Sequence, residues 1–402
     1  MDQAAVETAI KRYVDTGKLA GAATLVWRNG EATTVCLGRR DLETQAPVQR
    51  DTIFRIASMS KPVTSVLALM LLDEGRLRLD DPITRWAPEF ANMQVLRTPN
   101  GPLDDVEAAA RPITVEDLLT HRSGLTYGDF HRGPIAAAYG VLGREIDSDL
   151  APDEWIARLA ALPLIDQPGR RFHYSKSTDL LGLLIERIAD APLGDVLKQR
   201  IFAPLGMKDT GFAVPKANYA RRAGLCGFDT EGRLAALQTV PGGHALSERP
   251  DSMTFVSGGQ GLWSTLDDYL AFARIFVGQG AVDGVRILRP ETLALMASNH
   301  LTPAQRTDSE MFGLPLFVAG HGFGLGVAVV MEPEKAEPTR CGGGKGSVGW
   351  PGAYGGWWQA DPNDGSVMIF LAHNMLELDQ LTRGIGFGVW GAIREFQAIA
   401  SR

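Results

Sequence analysis

The stretch of sequence that decides the fold is FRIASMSKPVTSVLALMLLDEG, residues 54–75. It places Ser58 three residues before Lys61 and then continues as a long apolar run that stops at Gly75. Residues three apart share one face of a helix, so the two polar side chains are expected to be neighbours. The apolar run over 62–75 predicts a helix that the glycine terminates.

This pair of residue types points to acyl-transfer chemistry. A serine hydroxyl becomes an effective nucleophile only when a base removes its proton. A partly buried lysine, whose pKa desolvation lowers, can accept or relay that proton. The N-terminus of the following helix adds free N–H groups that suit an oxyanion. The spacing also arises by chance, so the motif alone leaves open whether the pair is catalytic or only opens a helix.

Bulk properties restrict the class of protein. The chain has 402 residues, 45% hydrophobic and 22% charged, which is ordinary for a globular protein of two domains or of one domain with an insertion. The net charge of −7 argues against nucleic acid or an anionic membrane surface as a partner. Three scattered cysteines indicate a reducing compartment without a disulfide framework. Since neither a secretory signal nor a membrane span is found, we expect a cytoplasmic protein.

The order of patterns along the chain predicts the domain organisation. Two β-rich runs flank Asn29-Gly30, a strong hairpin signal. Helical segments broken by Pro and Gly fill the middle, and strand-like runs return in FGLGVAVVM and YGGWWQADPNDGSVMIFLAHN. We therefore predict an α+β fold in which 1–75 and 265–402 form a discontinuous domain with an antiparallel sheet flanked by helices. Residues 76–264 form an inserted, mostly helical domain, and the active site lies between the two.

Two further segments supply what a lysine-assisted serine requires. RRFHYSKSTDLLGLLIERI places Tyr174 just ahead of a helix. A phenol close to Lys61 has its pKa lowered by the ammonium group and could act as the base for Ser58, although an ordinary half-buried tyrosine is the simpler alternative. GSVGWPGAYGGWWQADP carries small residues on a predicted strand, where a substrate can approach the backbone N–H groups of an oxyanion site.

Taken together, these segments resemble the serine β-lactamase and penicillin-binding-protein superfamily. More narrowly, the chain resembles the family VIII carboxylesterases, which are related to class C β-lactamases, and the lovastatin-type acyltransferases of the same fold. The stretches LLTHRSGLTYG, FAPLGMKDTGF, SGGQGLWSTLDDYLAF and WWQADP occur in the expected order, so that the resemblance covers nearly the whole chain. It implies a β-lactamase/transpeptidase-like fold.

The resemblance also implies catalytic roles by position. Ser58 would be the acylated nucleophile, and Lys61 and Tyr174 would share the proton transfers. The backbone N–H groups of Ser58 and Ala353 would hold the oxyanion. No metal or organic cofactor is implied, and the seven histidines form no zinc-binding motif.

Substrate-binding residues follow from the same resemblance. Tyr127 matches a tyrosine that lines the active site of the esterases, although a cleft wall without a chemical role is an equal alternative. The third family motif, K-T-G in β-lactamases and commonly W-G-G in the esterases, falls on Trp350-Pro351-Gly352, where the proline removes one N–H. Lys176 stands where class C lactamases have an asparagine. These departures favour a neutral ester over a β-lactam or a D-peptide, with Tyr127, Lys176, Trp350 and Gly352 in contact with it.

The sequence therefore predicts a serine carboxylesterase that hydrolyses small short-chain esters through an acyl-enzyme. A weak β-lactamase side activity is compatible with the shared acyl-serine step. Alternatives of the same fold are an acyltransferase, in which an alcohol or amine replaces water, and an amidase or D-aminopeptidase. A non-catalytic relative that binds acylated ligands is a further alternative, but such a protein would not need Ser58, Lys61 and Tyr174 together.

Overall fold

The structure of the protein is a computed structural model that describes residues 2–131, 133–143, 146–239, 246–311, 314–317, 320–337, 340–377, 380–381 and 383–402. The helices are α1 (Gln3–Asp15), α2 (Ser60–Asp73), α3 (Val115–Leu119), α4 (Pro134–Ala138), α5 (Pro152–Ala160), α6 (Ser177–Ala189), α7 (Leu193–Leu197), α8 (Ala203–Leu205), α9 (Leu266–Val277), α10 (Pro290–Met296), α11 (Pro303–Thr307) and α12 (Phe387–Ala400). The strands are β1 (Gly21–Arg28), β2 (Glu31–Gly38), β3 (Phe54–Arg55), β4 (Gln94–Leu96), β5 (Val106–Ala108), β6 (Cys226–Phe228), β7 (Leu234–Ala236), β8 (Trp263–Ser264), β9 (Ala281–Val282), β10 (Val285–Arg286), β11 (Glu310–Met311), β12 (Leu314–Pro315), β13 (His321–Phe323), β14 (Ala328–Val330), β15 (Val348–Gly349), β16 (Trp357–Asp361) and β17 (Ser366–Ala372).

A seven-stranded sheet in the order β13-β14-β15-β16-β17-β1-β2 forms the centre of the molecule. Every pairing within it is antiparallel. β1 pairs with β17 in a register that sets Leu25 opposite Ile369, so strands from the two ends of the chain lie side by side. This confirms the antiparallel sheet expected from the sequence.

The first hairpin of the sheet shows why the Asn-Gly signal was informative. Asn29 and Gly30 have φ angles of 53° and 84°, and Arg28 pairs with Glu31 across the turn. A two-residue turn with both central residues at positive φ matches the twist of the flanking strands. The predicted hairpin is therefore confirmed.

The two faces of the sheet are covered by different helices. Successive residues of a strand point to opposite faces. Ile369 of β17 accordingly joins a core that includes Leu67 of α2 and Phe272 of α9. Phe370 joins a second core that includes Phe396 of α12 together with residues of α1. Helices thus flank the sheet on both sides, as predicted.

Helix α2 is the element that carries the site. It begins at Ser60 and ends at Asp73, two residues earlier at each end than the predicted span, and Gly75 follows with a φ of 70°. The helix is buried along most of its length against the first core. Ser58 consequently lies in the short 3₁₀ turn Ala57–Met59 that leads into the helix, and not in the helix itself.

The segment between α2 and β8 contains six of the helices named above and the short ladders β4–β5 and β6–β7. The proposed boundaries of an inserted domain at 76 and 264 remain a prediction. Among the residues that the structure describes, no helix combines the length and the apolar character needed to cross a membrane.

Candidate active site

Ser58 lies at the start of a tightly held turn. Its side chain is 6% exposed. The preceding residue, Ala57, has a φ of 44°, a left-handed conformation that costs a non-glycine residue about 1–3 kcal/mol. Pairing of β3 with β8 and a hydrogen bond from the Ile56 N–H to the Leu262 carbonyl, at 3.0 Å, hold the chain on the way into this turn. The surrounding fold therefore fixes the backbone that presents the hydroxyl.

Lys61 is buried beneath Ser58, with 1% of its surface exposed. Its Nζ lies 3.4 Å from Ser58 Oγ, 3.1 Å from the Tyr127 hydroxyl and 3.0 Å from the Gly259 carbonyl oxygen. An ammonium group has three N–H donors, so these three acceptors account for all of them. The structure brings together the serine and the lysine that the sequence singled out, and the sequence did not indicate the contact with Gly259.

The Gly259 carbonyl is itself held in place by helix α6. The Gly259 N–H donates to Oδ1 of the fully buried Asp179 at 3.1 Å, and the Ser257 hydroxyl donates to the same oxygen. From α2, the Thr64 hydroxyl donates to the neighbouring Gly258 carbonyl at 2.7 Å. Asp179 therefore positions an acceptor of Lys61 without touching Lys61 itself.

Tyr174 approaches Lys61 through its ring and not through its hydroxyl. The Lys61 Nζ lies over the ring, 4.5 Å from the centroid, in a cation–π arrangement. The Tyr174 hydroxyl accepts a hydrogen bond from the Trp350 indole N–H at 3.0 Å. Two residues assigned by the resemblance are thus joined directly, and Trp350 fixes where the phenol oxygen points.

Tyr127 contacts Lys61 through its hydroxyl, whereas Tyr174 contacts it through its ring. The sequence left open whether Tyr127 was only a wall of the cleft, whereas the structure places its hydroxyl on the lysine. The Nζ of Lys176 lies 5.2 Å from the centroid of the same ring. Lys176 is buried and is not among the residues that line the cavity over Ser58, so its contact with substrate remains a prediction.

The segment around Gly352 packs against the turn that carries Ser58. The Gly352 N–H donates to the Gly356 carbonyl at 2.7 Å, which closes a tight loop. A Cβ on Gly352 would lie 2.6 Å from the Ile56 carbonyl oxygen, a distance that real Cβ atoms do not show. Glycine is therefore required for this close approach, and the next residue, Ala353, lines the same cavity as Ser58.

That cavity, of about 150 Å³, opens directly over Ser58. It contains six of the residues proposed from the sequence and several that sequence reasoning missed. Its lining consists of Ser58, Tyr127, Phe130, Tyr174, Gln260, Arg340, Trp350, Pro351, Gly352, Ala353, Met375, Leu376, Leu381 and Trp390. Of the missed residues, Gln260 lies inside the SGGQG stretch, whereas Arg340 and the apolar group after 374 carry no motif that points to a site.

A buried histidine supports the tyrosine from behind. The His121 ring packs against Tyr174 with the centroids 4.9 Å apart, and its Nδ1 lies 3.1 Å from the Ser175 hydroxyl. Burial, reinforced by the charge of Lys61, holds the pKa of His121 well below its usual value. His121 is therefore neutral at neutral pH and adds no second charge beneath the serine.

The comparisons with known proteins agree with this geometry. Residues 6–383 match the family model described as Beta-lactamase. The chain belongs to the β-lactamase family. This β-lactamase-family chain is 46% identical over 375 residues to Protein Rv1367c of Mycobacterium tuberculosis, covering 92% of this chain and 90% of that protein. It is 32% identical over 378 residues to Esterase EstB of Burkholderia gladioli, covering 90% of this chain and 87% of the esterase.

A solved structure extends the likeness to the whole fold. EstCE1, described as a hydrolase with promiscuous acyltransferase activity, superposes with a TM-score of 0.75 at 27% identity, covering 96% of this chain and 98% of that one. The predicted family and the β-lactamase/transpeptidase-like fold are thereby confirmed. Together the relatives of this β-lactamase-family protein support a hydrolase or an acyl-transferring enzyme.

Proposed function

We propose that this β-lactamase-family protein is a serine carboxylesterase that hydrolyses small esters with short acyl chains. The observation that carries the proposal is the distance of 3.4 Å between Lys61 Nζ and Ser58 Oγ at the floor of a small cavity. The cavity volume of about 150 Å³ suits a small ester. The similarity to Esterase EstB supports the same activity.

The mechanism follows from the residues around Ser58. The Ser58 oxygen forms a bond to the ester carbonyl carbon, and its proton passes to the Lys61 and Tyr174 pair, in which the Tyr174 phenolate oxygen takes the proton and the Lys61 ammonium group stabilises the phenolate charge. The N–H groups of Ser58 and Ala353 stabilise the negative oxygen of the tetrahedral intermediate. When this intermediate collapses, the bond to the alcohol oxygen breaks and the same pair returns the proton to it. Water then repeats the sequence on the acyl-serine and releases the acid.

Tyr127 enters this mechanism as the partner of the lysine. Because its hydroxyl receives one of the three hydrogen bonds of Lys61, it orients the ammonium group toward Ser58. Tyr174 lies between Lys61 and Trp350 and so reaches the leaving alcohol from the cavity wall. The two tyrosines therefore have different roles, the first in positioning Lys61 and the second in the transfer of the proton.

The test is hydrolysis of p-nitrophenyl acetate and butyrate by the wild type and by Ser58→Ala. Turnover is expected to vanish in Ser58→Ala. Ser65→Ala is a matched control, because this buried hydroxyl lies on the same helix and has no hydrogen-bond partner among the described residues. Ester turnover that survives in Ser58→Ala at the wild-type rate would refute the proposal. A chromogenic cephalosporin in the same assay measures any β-lactamase side activity.

A second candidate function is acyl transfer to an alcohol. It is favoured by the likeness to EstCE1, whose description includes promiscuous acyltransferase activity. Both functions share the acyl-Ser58 intermediate and differ only in what releases the acyl group. Adding butanol to the p-nitrophenyl butyrate assay separates them, since a transferase forms butyl butyrate in place of butyric acid.

A further inference from the structure

The cavity over Ser58 differs in charge from the protein as a whole. The chain carries a net charge of −7. Among the described residues that line the cavity, none is acidic and the single charged residue is Arg340. Lys61 adds a second cation below Ser58. An anionic group that enters the cavity therefore meets positive charge and, among the described residues that line it, no carboxylate.

The Nε atom of Arg340 is hydrogen-bonded to the protein, whereas its two Nη atoms carry N–H groups that are available to a ligand. Its Nε donates to the Leu316 carbonyl at 3.3 Å. Within the described part of the chain, its two Nη atoms make no hydrogen bond and no ion pair. Glu337, the acid that acts on it electrostatically, is ion-paired with Arg394 at 3.0 Å. Four N–H donors of a guanidinium group are thus left for a ligand.

Arg340 is half-buried, and the partial loss of water around its charge makes this arrangement unfavourable unless an anion completes it. Desolvation is the main effect on Arg340 and lowers its pKa, and Glu337 and Tyr174 oppose that effect only in part. Taking a cation out of water without pairing it is unfavourable. Perturbed charged groups of this kind are common at binding sites. A carboxylate matches the planar fork of a guanidinium group and can accept two hydrogen bonds from it.

The position of Arg340 tells which half of an ester lies next to it. Its charge acts on Tyr174, and the Tyr174 hydroxyl is bound to Trp350 in the same wall. In the proposed mechanism Tyr174 helps to return the proton to the leaving alcohol, so the alcohol half must lie on this side of the cavity. Apolar residues, among them Met375 and Leu376, line the remainder.

We propose that Arg340 binds a carboxylate carried by the alcohol half of the ester substrate. This inference rests on the proposed esterase function and narrows its substrate class. It also revises the expectation of a neutral ester, which followed from the missing lysine of the K-T-G motif. The cation that the motif lacks is supplied from a different segment, ten residues ahead of Trp350.

The experiment compares 4-acetoxybenzoate with 4-acetoxybenzamide, which have the same acyl group and a similar shape and differ in the charge of the alcohol half. The measured quantity is the ratio of their kcat/KM values, the anionic ester over the neutral one. Comparing this ratio between variants cancels the different reactivity of the two leaving groups. Arg340→Gln is expected to lower the ratio by roughly 10- to 100-fold, the range for one hydrogen-bonded charge pair. Arg340→Lys keeps the positive charge but not the two parallel N–H groups of the guanidinium. Its ratio is expected to lie between those of the wild type and Arg340→Gln.

Lys345→Gln is the matched control. It removes one positive charge from the same segment at an exposed position outside the cavity lining, so the ratio is expected to stay at the wild-type value. An unchanged ratio in Arg340→Gln would overturn the inference while leaving the esterase function intact. An equal fall in Lys345→Gln would also overturn it, because the effect would then be one of overall charge. If the wild type hydrolysed neither ester, the proposed function would fail first, and this inference with it.

Discussion

The ammonium group of Lys61 is hydrogen-bonded to the phenol oxygen of Tyr127 at 3.1 Å. The sequence pointed to Tyr174 as the tyrosine partner of this lysine. The structure instead places Tyr174 against Lys61 by its ring face and gives its hydroxyl to Trp350. The alignment of Lys61 with Ser58 therefore depends on Tyr127, which precedes Tyr174 in the chain by almost fifty positions.

Replacing Tyr127 with phenylalanine is expected to lower kcat for p-nitrophenyl butyrate by roughly 10- to 100-fold. The change removes one of the three acceptors of Lys61 while keeping the ring. Tyr139→Phe is the matched control, since the Tyr139 hydroxyl is also buried but accepts its hydrogen bond from the Thr126 backbone N–H, away from Lys61. The control should lose stability and keep its kcat. Equal kcat values in Tyr127→Phe and the wild type would show that Tyr127 is only part of the wall.

Asp179 should act on catalysis through Gly259. Asp179→Ala removes the acceptor that holds the Ser257 hydroxyl and the Gly259 N–H, so two buried donors lose their acceptor and the Gly259 carbonyl is free to shift away from Lys61. We expect a loss of about 2–4 kcal/mol in the free energy of unfolding, measured in urea, and a fall in kcat with little change in KM. Asp179→Asn keeps an oxygen acceptor and should recover part of both. If Asp179→Asn and Asp179→Ala had the same kcat, the acceptor would have no positioning role.

Gly352→Ala tests the close approach between the Gly352 segment and the Ser58 turn. The added Cβ would lie 2.6 Å from the Ile56 carbonyl, so the backbone on one side must move, and a shift of the Gly352 side would displace the adjacent Ala353 N–H, the proposed oxyanion donor. Loss of one oxyanion donor typically costs about 10²–10³-fold in kcat. Gly140→Ala is the control, because a Cβ there meets no atom within 4 Å. Wild-type kcat in Gly352→Ala would remove Ala353 from the oxyanion site.

The stability of the protein should fall in mild acid because of His373. Burial, with a smaller contribution from Arg55, lowers the pKa of His373 to about 4. A histidine in the unfolded chain titrates near pH 6.5, so between about pH 6.5 and 4 the unfolded chain binds a proton that the folded protein does not. The free energy of unfolding therefore decreases as the pH is lowered through this window, by roughly 2 kcal/mol at pH 5 from this residue.

Urea unfolding at pH 7 and pH 5 measures this effect, and His373→Phe is the informative variant. Neither ring nitrogen of His373 has a hydrogen-bond partner among the described residues, so a ring without nitrogens breaks no such bond. The variant should lose less stability between pH 7 and pH 5 than the wild type. His121, whose pKa burial also lowers, keeps part of the dependence in both proteins. Identical losses in the two proteins would contradict the assignment to His373.

The features that could be predicted from the sequence depend on neighbours along the chain. The spacing of Ser58 and Lys61, the glycine after α2 and the Asn29-Gly30 turn each act over a few residues. The hydrophobic periodicity and the turn-forming residues were sufficient to predict such elements. The order of the stretches that resemble the family then indicated the fold.

The parts of the site that escaped prediction depend on contacts between distant segments. Nothing in the pattern around Gly259 shows that its carbonyl will meet Lys61, since that contact needs α6 to place Asp179 behind it. Arg340 lies in a glycine-rich stretch without regular periodicity, and only the folded chain reveals that its Nη atoms have no hydrogen-bond partner among the described residues. Which of the two tyrosines, Tyr127 or Tyr174, hydrogen-bonds to Lys61 depends on how each ring is oriented, and residue spacing in the sequence does not determine that orientation.

The pairing of β1 with β17 has a consequence for how the protein is made. A ribosome releases the β1–β2 hairpin and the Ser58 turn long before β17 and Ala353. Until then β1 has one unpaired edge, and such edges invite association with other chains. Contacts between segments so far apart in sequence also slow folding. We expect Ser58 of a nascent chain to resist covalent labelling until synthesis has passed β17. A chain that stops before β17 would therefore have an unreactive Ser58 and an exposed edge of β1.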